Sequence, residues 1–362
     1  MSKYFGEIQV LDDEPQDEFK FSMKNVTLKN SIGNMIRWSA MCDISTITID
    51  SKTIDVKVNT SARATEDIHS ALSFLIFKKD FLEKSDLKMI ELSLEAKNDA
   101  ISFRYVMVEE LKLLNKETKE NISTDNIILY NNAPLFLLGP GKQVSLTCGF
   151  EKKSKRETNS IHQSASIGYI ESLDNKEINF TAMLQSDMTP KDLINTSFQR
   201  IEERLTDMKK VIEQKNSDSF FIELNKNNRY NFIFLDQPEQ IGNLIEKWNN
   251  RFDNDSITGY HMTNDDKGLN IEYGIKKFIP EIIEKDVSSK DILEKSLQKI
   301  NPEKEKKQRE ETIKLFIINL DRILKYIIEL RQDWDKVKSK TISKKDWLKM
   351  VYEERVSRST RM

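Results

Sequence analysis

A chain of 362 residues has room for two or three domains, and 38% hydrophobic with 32% charged residues describes a polar but folded protein. A formal net charge of −2 supplies no global basic field that would demand nucleic acid. Two cysteines (Cys42, Cys148) and three histidines (His69, His162, His261) are too scattered for the four grouped ligands of a structural zinc site, so no metal or cofactor is expected. No apolar run approaches membrane-spanning length, and residues 1–7 lack the apolar core of a signal peptide.

Residues 7–17 are acidic and read as a loose arm. Residues 18–28 then alternate apolar and polar (Phe19, Phe21, Met23, then Val26, Leu28), as a half-buried strand does. Asn30 or Ser31 is placed to cap a helix that opens Ile32-Gly33-Asn34-Met35-Ile36-Arg37-Trp38 and ends near Cys42. Two β-rich runs follow, Thr46–Ile49 and Ile54–Val58, then Asn59-Thr60-Ser61, Glu66, His69 and the apolar run Leu72–Phe77. Residues 85–170 change character to strand-like pieces split by charged or Asn-rich turns, which reads as a mostly β insert. Gly139-Pro140-Gly141-Lys142 lacks the spacing of a phosphate loop and reads as a turn between strands.

Thr189-Pro190 carries the N-cap and first-position signals of a helix, whose apolar residues Ile194, Phe198, Ile201, Leu205, Met208 and Ile212 form one seam. After a polar joint at 216–219 the pattern restarts: Phe220–Leu224 and Tyr230–Leu235 as a hairpin, then a helix opening Ile241-Gly242-Asn243-Leu244. Further strands flank the turn at 264–268. A helix is expected at 288–300, a charged linker at 301–309, and then a long helix with Ile313, Phe316, Ile317, Leu320, Ile323, Leu324, Ile327 and Trp334 on one side. The tail from Lys338 is basic and reads as a solvated helix or as a contact for a phosphate backbone or an acidic partner. Two copies of one plan (strand, strand, Gly-Asn helix, more strand, seam helix) thus occupy the chain. They can pair as a pseudo-symmetric dimer within one polypeptide. A Gly opening an apolar helix in both copies is expected where another backbone approaches closely.

These residues resemble a known family. The first copy is similar to the α-like, third-type subunit of multisubunit DNA-directed RNA polymerases. In that family a strand leads into a helix of the type Asn-Ala-Leu-Arg-Arg; here Asn34 and Arg37 match and Trp38 departs. Asn59-Thr60-Ser61, Glu66, Leu72–Phe77, Pro140–Leu146 and the basic loop Lys152–Arg156 follow the family's order, while its His-Arg pair becomes His69-Ser70. The second copy resembles the small eleventh-type partner in Gln240–Leu244 and Gly259-Tyr260-His261. A fusion of the two is similar to what large cytoplasmic DNA viruses carry. The family's third subunit often has a four-cysteine metal loop in its insert; only Cys148 stands there, so no metal is expected.

The resemblance implies an α+β fold of two dimerisation domains, at 1–84 plus 171–216 and at 217–337, with a β insert at 85–170 and a basic tail at 338–362. It implies no catalytic or cofactor residues, and an internal interface of Ile32, Gly33, Asn34, Ile36, Ile201, Leu205, Met208, Ile241, Gly242, Asn243, Leu244, Ile317, Leu320 and Leu324. Arg37, Asn59, Thr60, Ser61, Lys153, Lys155 and Arg156 would dock two large polymerase subunits, with smaller subunits as further partners, nucleic acid reached only through the complex, and no membrane. The expected location is the virion and the host cytoplasm. The competing expectation is a stand-alone duplicated α+β scaffold or nucleic-acid-binding protein.

Overall fold

The structure, a computed structural model, describes residues 2–11, 18–78, 86–156, 165–171, 177–186, 188–214, 218–225, 228–263, 268–278 and 302–349. It is a mixed α+β protein, with four β-sheets and six helices among the described residues. Two hydrophobic cores divide it. One runs from Tyr4 to Val337 and unites two sheets with four helices; the other runs from Ile47 to Phe150 and fills the insert.

The first sheet contains β1 (Ile8–Leu11), β2 (Glu18–Lys24), β10 (Ala165–Glu171), β11 (Glu177–Leu184) and β16 (Ser339–Ile342), in the order β10-β11-β2-β1-β16. All pairs are antiparallel except β1 with β16, which run parallel with Leu11 opposite Ile342. Its inner face is aromatic: Phe21 stacks on Phe180 at 4.4 Å, and Trp334 meets Phe21 edge-on at 5.0 Å. The second sheet contains β12 (Phe220–Leu224), β13 (Tyr230–Leu235), β14 (Ser256–Met262) and β15 (Gly268–Ile275), in the order β12-β13-β15-β14. Set β1 beside β12, β2 beside β13, β10 beside β14 and β11 beside β15, and four of the first sheet's five strands follow the order of the second sheet's four; β16 has no counterpart.

Helix α1 (Lys29–Trp38) covers the first sheet and runs on into a π-helical turn, Ser39–Asp43. The helix begins earlier than Asn30 or Ser31 would place it. Its N-cap is Leu28, in left-handed backbone at φ 56°, and Asn30 and Ser31 lie inside the first turn with other partners. Helix α3 (Pro190–Gln214) starts as its sequence predicts: Thr189 Oγ1 accepts from the Asp192 backbone N–H at 3.1 Å and donates to the Asp192 carboxylate at 2.7 Å. Helix α4 (Glu239–Phe252) covers the second sheet. Helix α5 (Pro302–Trp334) takes in the charge cluster expected as a linker at 301–309; the helix propensity of its Glu, Lys and Gln carries it through. The helix expected at 288–300 lies outside the described residues, as does the acidic stretch 12–17.

The insert holds a five-stranded sheet of β3 (Thr46–Asn59), β4 (Ile90–Lys97), β6 (Leu111–Asn115), β7 (Asn121–Ile122) and β9 (Gln143–Lys153), in the order β3-β9-β4-β6-β7, a two-stranded sheet of β5 (Arg104–Met107) and β8 (Pro134–Leu138), and helix α2 (Thr65–Ser73). Its limits differ from the expected 85–170. The two runs at 46–58 form one strand, β3 (Thr46–Asn59), bulged between Asp50 and Asp55 and paired with β9 (Gln143–Lys153). Ile47, Ile49, Ile68 and Leu72 enter the insert's core, whereas β10 joins the first sheet. The tail from 338 is β16 followed by a short helix, α6 (344–349).

Candidate docking surface

Helices α1 and α4 pack on each other, and so do α3 and α5. Of the residues expected at the first crossing, Ile32, Ile36, Ile241 and Leu244 are buried, and Asn34 and Asn243 are half-buried. Ser31 Oγ on α1 donates to Asn243 Oδ1 on α4 at 2.8 Å, and Asn243 Nδ2 donates to the Tyr260 hydroxyl at 3.3 Å. Asn34 is not part of that bond; its Oδ1 accepts from Arg37 Nε and Nη2 at 3.2 and 3.1 Å.

The glycines correct the expectation of a close helix crossing. A Cβ on Gly33 would stand 3.3 Å from Ile178 Cδ1 and 3.4 Å from Phe180 Cζ; one on Gly242 would stand 2.6 Å from Leu269 Cδ1 and 2.8 Å from Tyr260 Cδ2. All four neighbours belong to the helix's own sheet. Each glycine seats its helix on the sheet beneath it rather than on the other helix.

At the second crossing Ile201, Leu205, Met208 and Leu320 are buried, while Ile317 and Leu324 are half-buried at the margin. Phe316, Ile323, Ile327 and Leu330 complete the buried stripe of α5. Ion pairs flank it: Lys209 with Asp321 and Arg331 with Glu202, both at 2.7 Å. Asp333, near the end of α5, accepts from Ser2 Oγ at 2.5 Å and from the backbone N–H groups of Lys3 and Tyr4 at 3.0 and 2.7 Å. Burial pushes the Asp333 carboxyl up, and these donors outweigh it, holding the group below the ordinary aspartate value. Trp334 Nε1 donates to the Lys191 carbonyl at 3.0 Å. No sequence motif announced this clasp.

Trp38, the departure from the family pattern, lies under two guanidinium groups, Arg204 at 5.4 Å and Arg156 at 5.9 Å from the ring centre. Arg204 makes a two-pronged ion pair with the buried Asp43 and donates to the Asp236 carbonyl at 3.1 Å. Arg156 pairs with the Asp236 carboxylate at 2.9 Å, and its backbone N–H donates to the Cys42 carbonyl at 3.3 Å. The cluster joins the exit of β9, the end of α1, α3 and the β13–α4 turn. Arg156, expected to face a large subunit, is thus occupied inside the molecule, because the bends of the chain at Asp43 and Asp236 bring two carboxylates to it and Arg204. Lys153 pairs with Glu151 at 2.5 Å. Lys155 and Arg37 stand close enough to Cys42 to act on its thiol, which burial pushes up. Cys148 is fully buried and pushed up to about 12 by burial.

The Asn59-Thr60-Ser61 segment lies at the other end of the β3–β9 pair, roughly 30 Å away at about 3.3 Å per residue. Asn59 Oδ1 accepts from the Ser61 backbone N–H at 3.1 Å, closing an Asx turn, and from Ser61 Oγ at 2.6 Å. Thr60 bonds Gln143 in both directions, its N–H to the Gln143 carbonyl at 3.0 Å and its Oγ1 from the Gln143 N–H at 2.9 Å. The Asn-Thr-Ser and Pro-Gly-Lys-Gln segments, distant in sequence, therefore form one tip. Beside them the buried Asn98 holds a loop: its Nδ2 donates to the Ser102 and Leu138 carbonyls at 2.8 and 2.9 Å, and its backbone pairs with Gly141 and Lys142. That fixed loop presents Ile101 and Phe103 at 99% and 68% exposure, and Tyr105, on β5 beside it, is 60% exposed. Period-2 spacing of apolar residues could have found this strip, but the same spacing reads as a half-buried strand.

The seven expected docking residues thus fall into two groups at the two ends of the β3–β9 pair: Asn59, Thr60 and Ser61 at the tip, and Lys153, Lys155 and Arg156 at the base, with Arg37 of α1 beside them. Neither group brings together a nucleophile and a base. Among the described residues no three metal-ligating side chains converge, and no helix is long and apolar enough to cross a membrane. The chain matches no protein-family model and no curated protein.

Proposed function

We propose that this chain is a non-catalytic assembly platform of a DNA-directed RNA polymerase, holding the two large catalytic subunits during transcription of a viral genome. The observation that carries the reading is the shared strand order of the two four-strand units, each capped by a Gly-Asn helix and followed by a seam helix, with like helix packed on like. That is the arrangement expected of an α-like subunit and its small partner joined in one polypeptide as an internal pseudo-dimer. It adds to the motif order read from the sequence.

On this reading the insert tip, with the Asx turn and the exposed Ile101 and Phe103, meets one large subunit. An exposed apolar strip on a hydrogen-bonded loop supplies the desolvated centre that a stable interface needs. Arg37 and Lys155 at the base of the β3–β9 pair are the second contact; Arg156 orients the insert instead. The location that follows is the virion and the cytoplasm of the infected cell. Co-expression of the tagged chain with the two largest polymerase subunits of the same genome tests the proposal. The expected outcome is co-purification of both, with Ile101→Asp plus Phe103→Asp reducing recovery of one of them at least tenfold. Failure of the native chain to retain either subunit would overturn it.

A further inference from the structure

The segment 336–349 carries six lysines (336, 338, 340, 344, 345 and 349) against one carboxylate, Asp346, in a chain of net charge −2. All six are exposed. The fold turns this stretch into a shaped surface. Among the described residues β16 is the edge strand of the first sheet, with Lys340 on it and Lys338 just before it. Ser343 then caps α6, its Oγ donating to the Asp346 carboxylate at 2.7 Å and accepting the Asp346 N–H at 3.2 Å. Trp347 is buried against the sheet with Lys20 4.9 Å from its ring centre. With Trp347 facing inward, Lys344, Lys345 and Lys349 face outward. At the other end a cleft of about 300 Å³ is lined by Lys24, Lys336 and Lys338 with Glu7. Among the described residues, Asp346 bonds Ser343, Asp333 holds the chain's N-terminal residues and pairs with Lys336 at 3.8 Å, and Asp335 lies on the turn before β16.

We infer that this lysine-lined edge binds the phosphate backbone of nucleic acid without reading its sequence. Lysines on an edge strand also discourage pairing with another sheet, and that accounts for Lys338 and Lys340. It does not account for the lysines of α6, which lie beyond the strand. A protein partner fits less well. Lysine is depleted at protein interfaces, which need an apolar centre, and this surface offers Lys, Ser and Thr with Leu348 as its one exposed large aliphatic group. Lysine, serine and threonine are the side chains that contact phosphate and sugar. Polar backbone contact without aromatic stacking gives affinity that follows charge rather than base identity.

Fluorescence anisotropy of the purified full-length chain with a labelled 20-nucleotide single strand tests this. With about four phosphate contacts, affinity should fall roughly 50-fold between 50 and 200 mM salt. Combining Lys338→Glu, Lys340→Glu, Lys344→Glu and Lys345→Glu should weaken binding at least tenfold and flatten the salt dependence. The four Lys→Gln changes, which disturb folding less, should weaken it in the same direction. Reversing four exposed lysines on α5 (Lys304, Lys306, Lys307 and Lys314) should leave affinity within twofold. Three outcomes would overturn the inference: no salt-dependent binding by the native chain, equal losses in both reversal variants, or displacement of the DNA by poly-glutamate as readily as by unlabelled DNA. The last would mark the edge as a site for an acidic protein.

Discussion

Gly33 and Gly242 occupy matching places in the two halves, yet they are not equally constrained. At Gly33 an added methyl meets side-chain ends at 3.3 Å or more, close to ordinary contact. At Gly242 it meets the Tyr260 ring at 2.8 and 3.0 Å, and a ring in a packed core has little room to turn. Replacing glycine by alanine inside a helix gains about 1 kcal/mol of helix propensity. Gly33→Ala is therefore expected to change stability by less than about 0.5 kcal/mol, the gain offsetting mild crowding. Gly242→Ala should cost about 1–2 kcal/mol net, since overpacking exceeds the gain. Urea unfolding of the two variants checks the difference; equal midpoints would show that the second sheet gives way freely. The repeated Ile-Gly-Asn was legible in the sequence as two equivalent helix starts. What each glycine faces was not, because a glycine's neighbour depends on which sheet lies beneath the helix.

At the scale of elements, α5 does more than fill a seam. Its C-terminal turn holds residues 2–4 through the single carboxylate of Asp333, and Trp334 fills the first sheet's aromatic core. Asp333→Ala removes three hydrogen bonds to a charged acceptor that is 7% exposed, and is expected to cost about 3 kcal/mol. Its pH dependence has a definite sign. The folded-state carboxyl lies below its unfolded value of about 3.9, so its contribution is complete above that pH and is lost as pH falls through the folded value. The stability difference between native chain and Asp333→Ala, measured by urea unfolding, should shrink between pH 5 and pH 2. Asp253 behaves alike: burial pushes it up, and bonds from Asn319 at 2.7 Å and Tyr273 at 3.0 Å hold it low, so some acid sensitivity should survive in the variant. Sequence patterning located α3, the β12–β13 hairpin and the α5 stripe, because their apolar residues recur at helical or alternating spacing. It missed β1, β8, β11 and β16, which are short or flanked by polar residues and owe their existence to a neighbouring strand. The docking tip was half legible: Asn59–Ser61 and Pro140–Gln143 stood out as turns, but their meeting through Thr60 and Gln143 is a matter of long-range register.

At the scale of the whole molecule, the two halves are tied in four places: α1 on α4, α3 on α5, β16 beside β1, and the Asp333 clasp. Cleaving an engineered protease site near Ser217, in the polar joint at 216–219, should therefore leave one complex that elutes as the uncut chain does on gel filtration. Halves that separate would show that the peptide link, not the packing, holds them. The Trp38–Arg156–Arg204 cluster adds a fifth tie, this one between the insert and both halves, so the insert should keep its orientation after the cut. The parallel pairing of β1 with β16 also has a consequence for biosynthesis. Ser2 and Asp333 are 331 residues apart, so at roughly 5–20 residues per second a ribosome needs about 15–65 s to deliver the partners of the first strand. Throughout that interval β1 is a nascent edge with no neighbour on one side, and the time before β16 emerges is when a chaperone has most to protect.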